Sequence, residues 1–211
     1  TLRVFREKLI GMDPRDIEGI NAVMNRAVAY AGTAKAAVDI ACHDILGKAA
    51  GLPLYKLLGG LSNTIETDMT VGIDTPELMA AAAKEHVAAG FRVIKTKVGT
   101  NIADDIARVK AIREAVGDDV KIRLDANQGW HAREAVELLK RLNEYDIELV
   151  EQPVRRFDFE GLKYVTANSP VPVMADESCW DSKDALRLVS ERAVDFINIK
   201  LMKCGGLWEA K

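Results

Sequence analysis

Five charged residues recur at nearly constant spacing: Lys97, Asp125, Glu151, Asp176 and Lys200, separated by 28, 26, 25 and 24 residues. Lys95 precedes the first of them by one intervening position. Three carboxylates gathered in one pocket cannot all stay ionised without a cation. An all-oxygen set suits a hard divalent ion, Mg²⁺ before others, one per site, with positions left for substrate oxygens. Asn127 shares the strand face of Asp125 and is a candidate to orient that ligand from behind. Glu177, beside Asp176, is a candidate for the same task or for plain solvation. A free lysine, with a pKa of about 10.4, is a poor base. Positive charge nearby, from Lys95 and a divalent ion, lowers that value. Lys97 is therefore read as a proton carrier, and Lys95 as the neighbour that tunes it and holds a substrate oxygen. The matching chemistry is removal of a proton next to a carboxylate, with the metal stabilising the resulting enediolate. A lysine on each face, Lys97 and Lys200, is what racemisation or epimerisation requires. Any one of these carboxylates alone is explained as well by a surface ion pair; the set in register is not.

The elements that must position these groups follow from periodicity. Residues 13–58 read as helices. Asp13-Pro14 is read as a cap followed by proline in the first turn, and "AKAAVDIACHDILGKAAG" as a long helix ending at Gly51. "LLGGLSNT" is a break near residue 60. Six strand–helix units follow: 65–73, "VIKTKV", "KIRLDAN", "IELVEQ", "VPVMADES" and "DFINIKL", each leading into an amphipathic helix. This alternation predicts parallel strands joined by helical crossovers. The charged residues sit near the C-terminal ends of strands two to six. The opposite face is apolar, as in Ile122, Leu124 and Ala126 or Val173 and Ala175. On an open sheet, charges on five successive strands would spread over about 19 Å, at ~4.8 Å per strand. They converge only if the sheet curls, so the expected fold is α/β, a (β/α)₈-type barrel with about six units present. In such a barrel strands two and six oppose each other, and Lys97 would face Lys200. The expected domains are 1–60, helical, and 61–211, a partial barrel; two further units are expected in a longer chain.

Bulk properties exclude several classes. The chain has 211 residues, is 48% hydrophobic and 29% charged, and carries a net charge of −3, with no basic surplus for nucleic acid. No apolar run approaches the roughly 20 residues of a membrane helix, and no signal peptide is visible. Cys42, Cys179 and Cys204 fit neither a disulfide framework nor a zinc site, which points to a reducing, cytoplasmic setting.

"KTKVG", "LDANQGW", "VEQP", "MADES" and "INIKLMKCGG", in this order and spacing, resemble the muconate-lactonizing subgroup of the enolase superfamily, an established case of lysine or histidine bases working with Mg²⁺. The wording is most similar to that of dipeptide epimerases of the L-Ala-D/L-Glu type, and the resemblance runs over residues 13–211. It implies a modified TIM barrel preceded by an α+β capping domain, of which residues 1–60 would be the helical part. It implies metal ligands at Asp125, Glu151 and Asp176, acid/base lysines at Lys97 and Lys200, and a Lys95 that contacts the substrate carboxylate. The substrate would be a small molecule, a dipeptide or another α-substituted carboxylate, with no nucleic-acid or membrane partner; a homo-oligomer is expected. Acidic residues that bind the dipeptide amino group would lie on an eighth strand, outside this sequence.

Other reactions fit the same site: muconate-type cycloisomerisation, o-succinylbenzoate synthesis and N-succinylamino-acid racemisation. A non-catalytic barrel scaffold is the competing class. His43, His86 and His131 lack metal spacing, and Cys179 and Cys204 lack a base partner. Trp130 and Trp180 are expected to wall or cover the pocket, Lys203 to be solvated, and Gly205-Gly206 to allow tight backbone packing beside Lys200, with an anion at the next helix as the competing reading.

Overall fold

The computed structural model describes residues 1–211. In chain order the elements are α1 (Leu2–Leu9), α2 (Ile17–Ala27), α3 (Gly32–Ala50), α4 (Leu54–Leu57), β1 (Met69–Val71), α5 (Pro76–Ala88), β2 (Val93–Lys97), α6 (Ile102–Val116), β3 (Lys121–Asp125), α7 (Ala132–Leu142), β4 (Ile147–Glu151), α8 (Phe159–Asn168), β5 (Val173–Ala175), α9 (Ser182–Ser190), β6 (Phe196–Ile197), α10 (Leu201–Cys204) and α11 (Leu207–Ala210). A single 3₁₀ turn, Asn143–Tyr145, extends α7.

Local chemistry explains most boundaries. Side chains accept from the third helical amide at Asp16 (2.9 Å), Asn101 (3.0 Å) and Asp158 (2.8 Å), which satisfies donors that the first turn leaves open. Pro76 starts α5 behind the Thr75 cap. Gly51 ends α3 in the left-handed conformation, at φ 64. One expected start is corrected: Asp13 does not cap a helix. Its carboxylate accepts from Arg15, the pair making a surface turn, and Asp16 caps α2 instead, because the helical repeat begins at Ile17.

The chain divides into two compact units. The first comprises Thr1–Ile65 with Trp180–Lys183 and Ile199–Lys211, and its core gathers Phe5, Ile17, Ile20, Met24 and Cys42. The second comprises Glu66–Cys179 with Asp184–Asn198 and contains the whole sheet. That sheet has six strands in the order β1-β2-β3-β4-β5-β6, and every pair is parallel. A doubly wound sheet reverses its strand order at a switch point. This one does not, so right-handed crossovers put all the helices on the same side, which is the wall of a (β/α) barrel. The apolar strand face, with Ile94, Val98, Ile122, Leu124, Ala126, Val150, Val173 and Ala175, packs with helix residues such as Leu138, Leu139, Leu142 and Leu162. Each fully buried leucine contributes about 2 kcal/mol by transfer from water.

Three strands are shorter than the periodicity predicts, β5 among them with three residues of "VPVMADES". β1 keeps three of the nine residues in 65–73, and β6 keeps only Phe196–Ile197. β6 has one neighbour, and its last ladder bond is Asn198 N–H to the Ala175 carbonyl at 2.7 Å. Lys200 therefore lies beyond the strand, in extended backbone immediately before α10. Asp176 likewise is the first residue past β5.

Candidate active site

Strand register puts three charged residues in one row. Lys97 pairs with Asp125 across β2–β3, and Asp125 pairs with Glu151 across β3–β4. All three are the last residues of their strands. Neighbouring parallel strands stand about 4.8 Å apart, so side chains in one row meet. The Lys97 ammonium donates to Asp125 Oδ2 at 2.7 Å and to Asn127 Oδ1 at 2.6 Å. Lys95, two residues earlier on the same face, reaches the same row: its Nζ lies 3.0 Å from Asp125 Oδ2 and 2.5 Å from Glu151 Oε2.

Burial sets the electrostatics. Asp125, Glu151 and Asp176 are all buried. Burial pushes the Glu151 carboxyl up; the Lys95 hydrogen bond counters it only in part, and the Asp125 charge adds to the rise. Burial also acts against the charge on Lys95. The Glu151 hydrogen bond and the charges of Asp125 and Glu151 outweigh it and hold Lys95 above the usual lysine value. Lys95 is thus a fixed ammonium between two carboxylates.

Two side chains that position this row, Gln152 and Asn198, were given no such role from the sequence. Gln152 is fully buried, and every polar group of its amide is used. Its Oε1 accepts from the amides of Asp176 and Ser178, both at 3.0 Å, and its Nε2 donates to Ser178 Oγ (2.8 Å) and the Val154 carbonyl (2.9 Å). Gln152 therefore sets where the chain carrying Asp176 leaves β5; it is more than a turn residue. Asn198 Nδ2 donates to Glu151 Oε1 at 2.9 Å, leaving Oε2 to Lys95. Asn127 adopts a positive φ of 42 and donates its backbone N–H to Asp125 Oδ1 at 3.1 Å. Its Nδ2 donates to Glu177 Oε1 at 3.2 Å, which brings Glu177 to the edge of the cluster.

Behind the row, Asp105 of α6 ties together the loops that follow β2 and β3. Its carboxylate accepts from Gly99 N (2.9 Å), Thr100 Oγ1 (3.2 Å), Arg108 Nη1 (3.1 Å) and Trp130 Nε1 (3.1 Å). The two loops touch through backbone: a Cβ on Gly99 would run into the Ala126 carbonyl, and one on Gly129 into the Gly99 carbonyl. Trp130 is therefore a buried strut under the loops and does not wall the pocket. No signal within 97–130 announces this, because the acidic residue looks like any first-turn helix acid.

A divalent cation suits this donor set: buried carboxylates on adjacent strands, all oxygen, with a lysine ammonium already lodged as a cation between two of them. Asp125 and Glu151 turn their oxygens to the lysines, and no group of three or more His, Cys, Asp or Glu side chains is arranged to ligate an ion. Binding an ion would redirect those oxygens from the ammonium groups.

The remaining expectations divide. Lys95, Lys97, Asp125, Asn127, Glu151 and Glu177 are brought together by the contacts above, and Asp176 is held at its strand end by Gln152. Lys200 belongs to the first compact unit, where its carbonyl accepts from the amides of Lys203 (2.8 Å) and Cys204 (3.2 Å). Lys203 is buried, contrary to the solvated position expected, because α10 turns it inward one turn after Lys200. Gly206 does pack tightly, and what it packs against is a carboxylate, that of Asp39.

The mandelate racemase/muconate lactonizing enzyme N-terminal domain profile matches residues 3–59, and the enolase C-terminal domain-like profile matches residues 78–211. The hydrophobic dipeptide epimerase of Enterococcus faecalis is 58% identical over 210 residues, covering 100% of this chain and 59% of that relative. The L-Ala-D/L-Glu epimerase of Bacillus subtilis is 45% identical over 207 residues, covering 97% of this chain and 57% of its own length. A crystal structure of the E. faecalis dipeptide epimerase with Mg and the dipeptide L-Leu-L-Tyr superposes with a TM-score of 0.96 at 58% identity, over 98% of this chain and 58% of that one. The chain thus spans less than two thirds of these relatives. The strand-tip lysines and carboxylates, the sequential parallel sheet and these matches lead to one conclusion: the chain belongs to the mandelate racemase/muconate lactonizing enzyme family of the enolase superfamily.

Proposed function

We propose that this protein is a Mg²⁺-dependent dipeptide epimerase. What supports the reading is the strand-tip array itself, Lys97 on Asp125 and Asn127 with Lys95 bridging Asp125 and Glu151, in a chain 58% identical to a hydrophobic dipeptide epimerase. In this proposal Asp125, Glu151 and Asp176 hold the ion. Bound there, it would supply positive charge to the substrate carboxylate and so favour the enediolate.

The protein's own residues do the rest. Lys97 moves the proton at one face of the α-carbon, and Lys200 moves it at the other. The hydrogen bond to Asn127, which an ion on Asp125 would leave in place, holds the Lys97 ammonium in a donating position, the form that returns a proton. Lys95 stays charged and orients a substrate carboxylate oxygen; Asn127 and Glu177 hold the outer edge of the row. A small-molecule substrate, a homo-oligomeric assembly and a cytoplasmic location, with no nucleic-acid or membrane partner, belong to the same proposal. Three cysteines that form no disulfide suit a reducing setting.

The test is α-proton exchange. The full-length protein is incubated with Mg²⁺ in D₂O with a panel of dipeptides, hydrophobic pairs and L-Ala-L-Glu included, and separately with N-succinylamino acids, and followed by NMR. Deuterium should enter at one α-carbon, with the other epimer appearing. Absence of exchange from every dipeptide would remove the proposal, and exchange confined to N-succinylamino acids would move it to racemisation.

A further inference from the structure

Asp39 lies in the middle of α3 and is completely buried. Neither the sheet nor the strand-tip cluster uses it. Its carboxylate is the acceptor for a ring of donors from three stretches of chain. Oδ1 accepts from Asn21 Nδ2 of α2 at 2.7 Å. Oδ2 accepts from the backbone amides of Leu207, at 2.6 Å, and Trp208, at 3.4 Å. His43 Nδ1, one turn along α3, lies 3.2 Å from Oδ2 and 2.9 Å from the Asp39 carbonyl. A buried carboxylate is retained at this cost only when its acceptors are all engaged.

The amides it holds belong to the segment that begins at Lys200. Between Lys200 and Leu207 the chain makes one short helix and the Gly205-Gly206 turn, closed by the amides of Gly205 (2.9 Å) and Gly206 (3.0 Å) on the Leu201 carbonyl. Gly206, at φ 125, lies so close to Asp39 that a Cβ there would overlap the carboxylate. The far end of the turn is gripped as well. A Cβ on Gly32, the first residue of α3, would run into the carbonyls of Met202 and Lys203, and Thr33 Oγ1 reaches the Met202 carbonyl at 3.4 Å. Two points on α3, seven residues apart, therefore clamp the backbone that carries Lys200.

We propose that Asp39 is the positioning residue for Lys200: the α3 carboxylate anchors the Leu201–Leu207 turn and thereby fixes where the Lys200 backbone leaves the fold. This rests on the reading of Lys200 as one of two proton carriers. It adds that the accuracy of only one of the two depends on a carboxylate in the helical region that precedes the barrel strands. Asparagine at this position keeps the shape but cannot accept on both sides. Either the Asn21 amide or the Leu207 N–H would then face an N–H₂ group.

The experiment compares the full-length protein with its Lys200→Ala, Asp39→Asn and Gly206→Ala variants. Each is given the two epimers of a dipeptide substrate separately in D₂O, with Mg²⁺, and α-proton exchange is followed by NMR. Lys200→Ala identifies the epimer whose proton Lys200 removes. Asp39→Asn should slow exchange of that same epimer by about 10- to 100-fold, the cost of displacing a reacting group by about 1 Å, and leave the other within about twofold. Gly206→Ala, which presses on the same contact from the opposite side, should give the same one-sided loss. Equal slowing of both epimers, or none of either, would overturn the proposal. Amide hydrogen exchange on the same variants is read independently of activity: Asp39→Asn should deprotect residues 201–210 and leave the strands of the sheet protected. If the parent protein exchanges neither epimer, the epimerase reading fails while this measurement still decides the anchor, and unchanged protection at 201–210 would refute it.

Discussion

Replacing Asp105 by alanine tests whether the loops behind the lysine row are held by one buried carboxylate. Asp105 has no exposed surface, and it accepts from Gly99 N, Thr100 Oγ1, Arg108 Nη1 and Trp130 Nε1. Removing it leaves two neutral donors, the part-buried Gly99 amide and the buried Trp130 indole, each costing about 1 kcal/mol or more. It also leaves the buried Arg108 guanidinium without its counter-charge. Breaking a buried ion pair costs about 3–5 kcal/mol. Arg108 keeps the Asp74 carbonyl, at 3.0 Å, and Thr100 Oγ1 as partners, which favours the lower end. The total is about 5 kcal/mol, a large part of the roughly 5–15 kcal/mol that holds a typical domain. Asp105→Asn keeps the shape and one acceptor and should cost about half as much. In an Asp105→Ala background, Arg108→Met should recover part of the loss, because it removes the uncompensated charge. Urea titration of the full-length variants, followed by tryptophan fluorescence because Trp130 reports on this contact, measures all three. A loss below about 1 kcal/mol for alanine, or a larger loss for asparagine than for alanine, would show that Asp105 does not bear this role.

Gln152→Glu replaces two donors with acceptors, so Ser178 Oγ and the Val154 carbonyl would face a carboxylate; Mg²⁺ affinity measured by calorimetry should fall by about 10- to 100-fold, as for loss of a group that orients a metal ligand. The fully buried Thr96 hydroxyl has no hydrogen-bond partner, so the isosteric Thr96→Val should raise stability by about 1 kcal/mol in a denaturant titration. Beneath the site, burial alone would raise the Glu148 carboxyl, but the Arg123 hydrogen bond, at 2.5 Å, and Lys121 outweigh it and hold it below the usual 4.5. A folded value below the unfolded one means that this stabilisation is complete above the unfolded value and is lost as pH falls through the folded one. Thermal melts between pH 6 and pH 3 should therefore show a shallower acid decline for Glu148→Gln than for the parent.

Most of the architecture was legible because its signals are local. Alternating apolar and polar positions in "VIKTKV" and "KIRLDAN", and caps such as Asn101 and Asp158, act over a few residues. The strand–helix repeat carried the parallel topology for the same reason. Strand length was less legible. β6 keeps only two residues, and Lys200 lies past it, in the turn before α10. Trp130 and Lys203 were placed wrongly because an aromatic or a lysine after a strand carries no local mark of the buried partner that receives it.

By itself, the sequence determined the six strand–helix units and the regular spacing of lysines and carboxylates along them, since periodicity and charge order are properties of the chain. Only the tertiary structure decided which polar groups hold those charges in place. Gln152 meets the amide of Asp176 across 24 residues, Asn198 meets Glu151 across 47, and Asp39 meets Leu207 across 168. A buried polar group is satisfied by whatever donor the fold delivers to it, and that delivery depends on how distant segments pack rather than on any neighbouring residue.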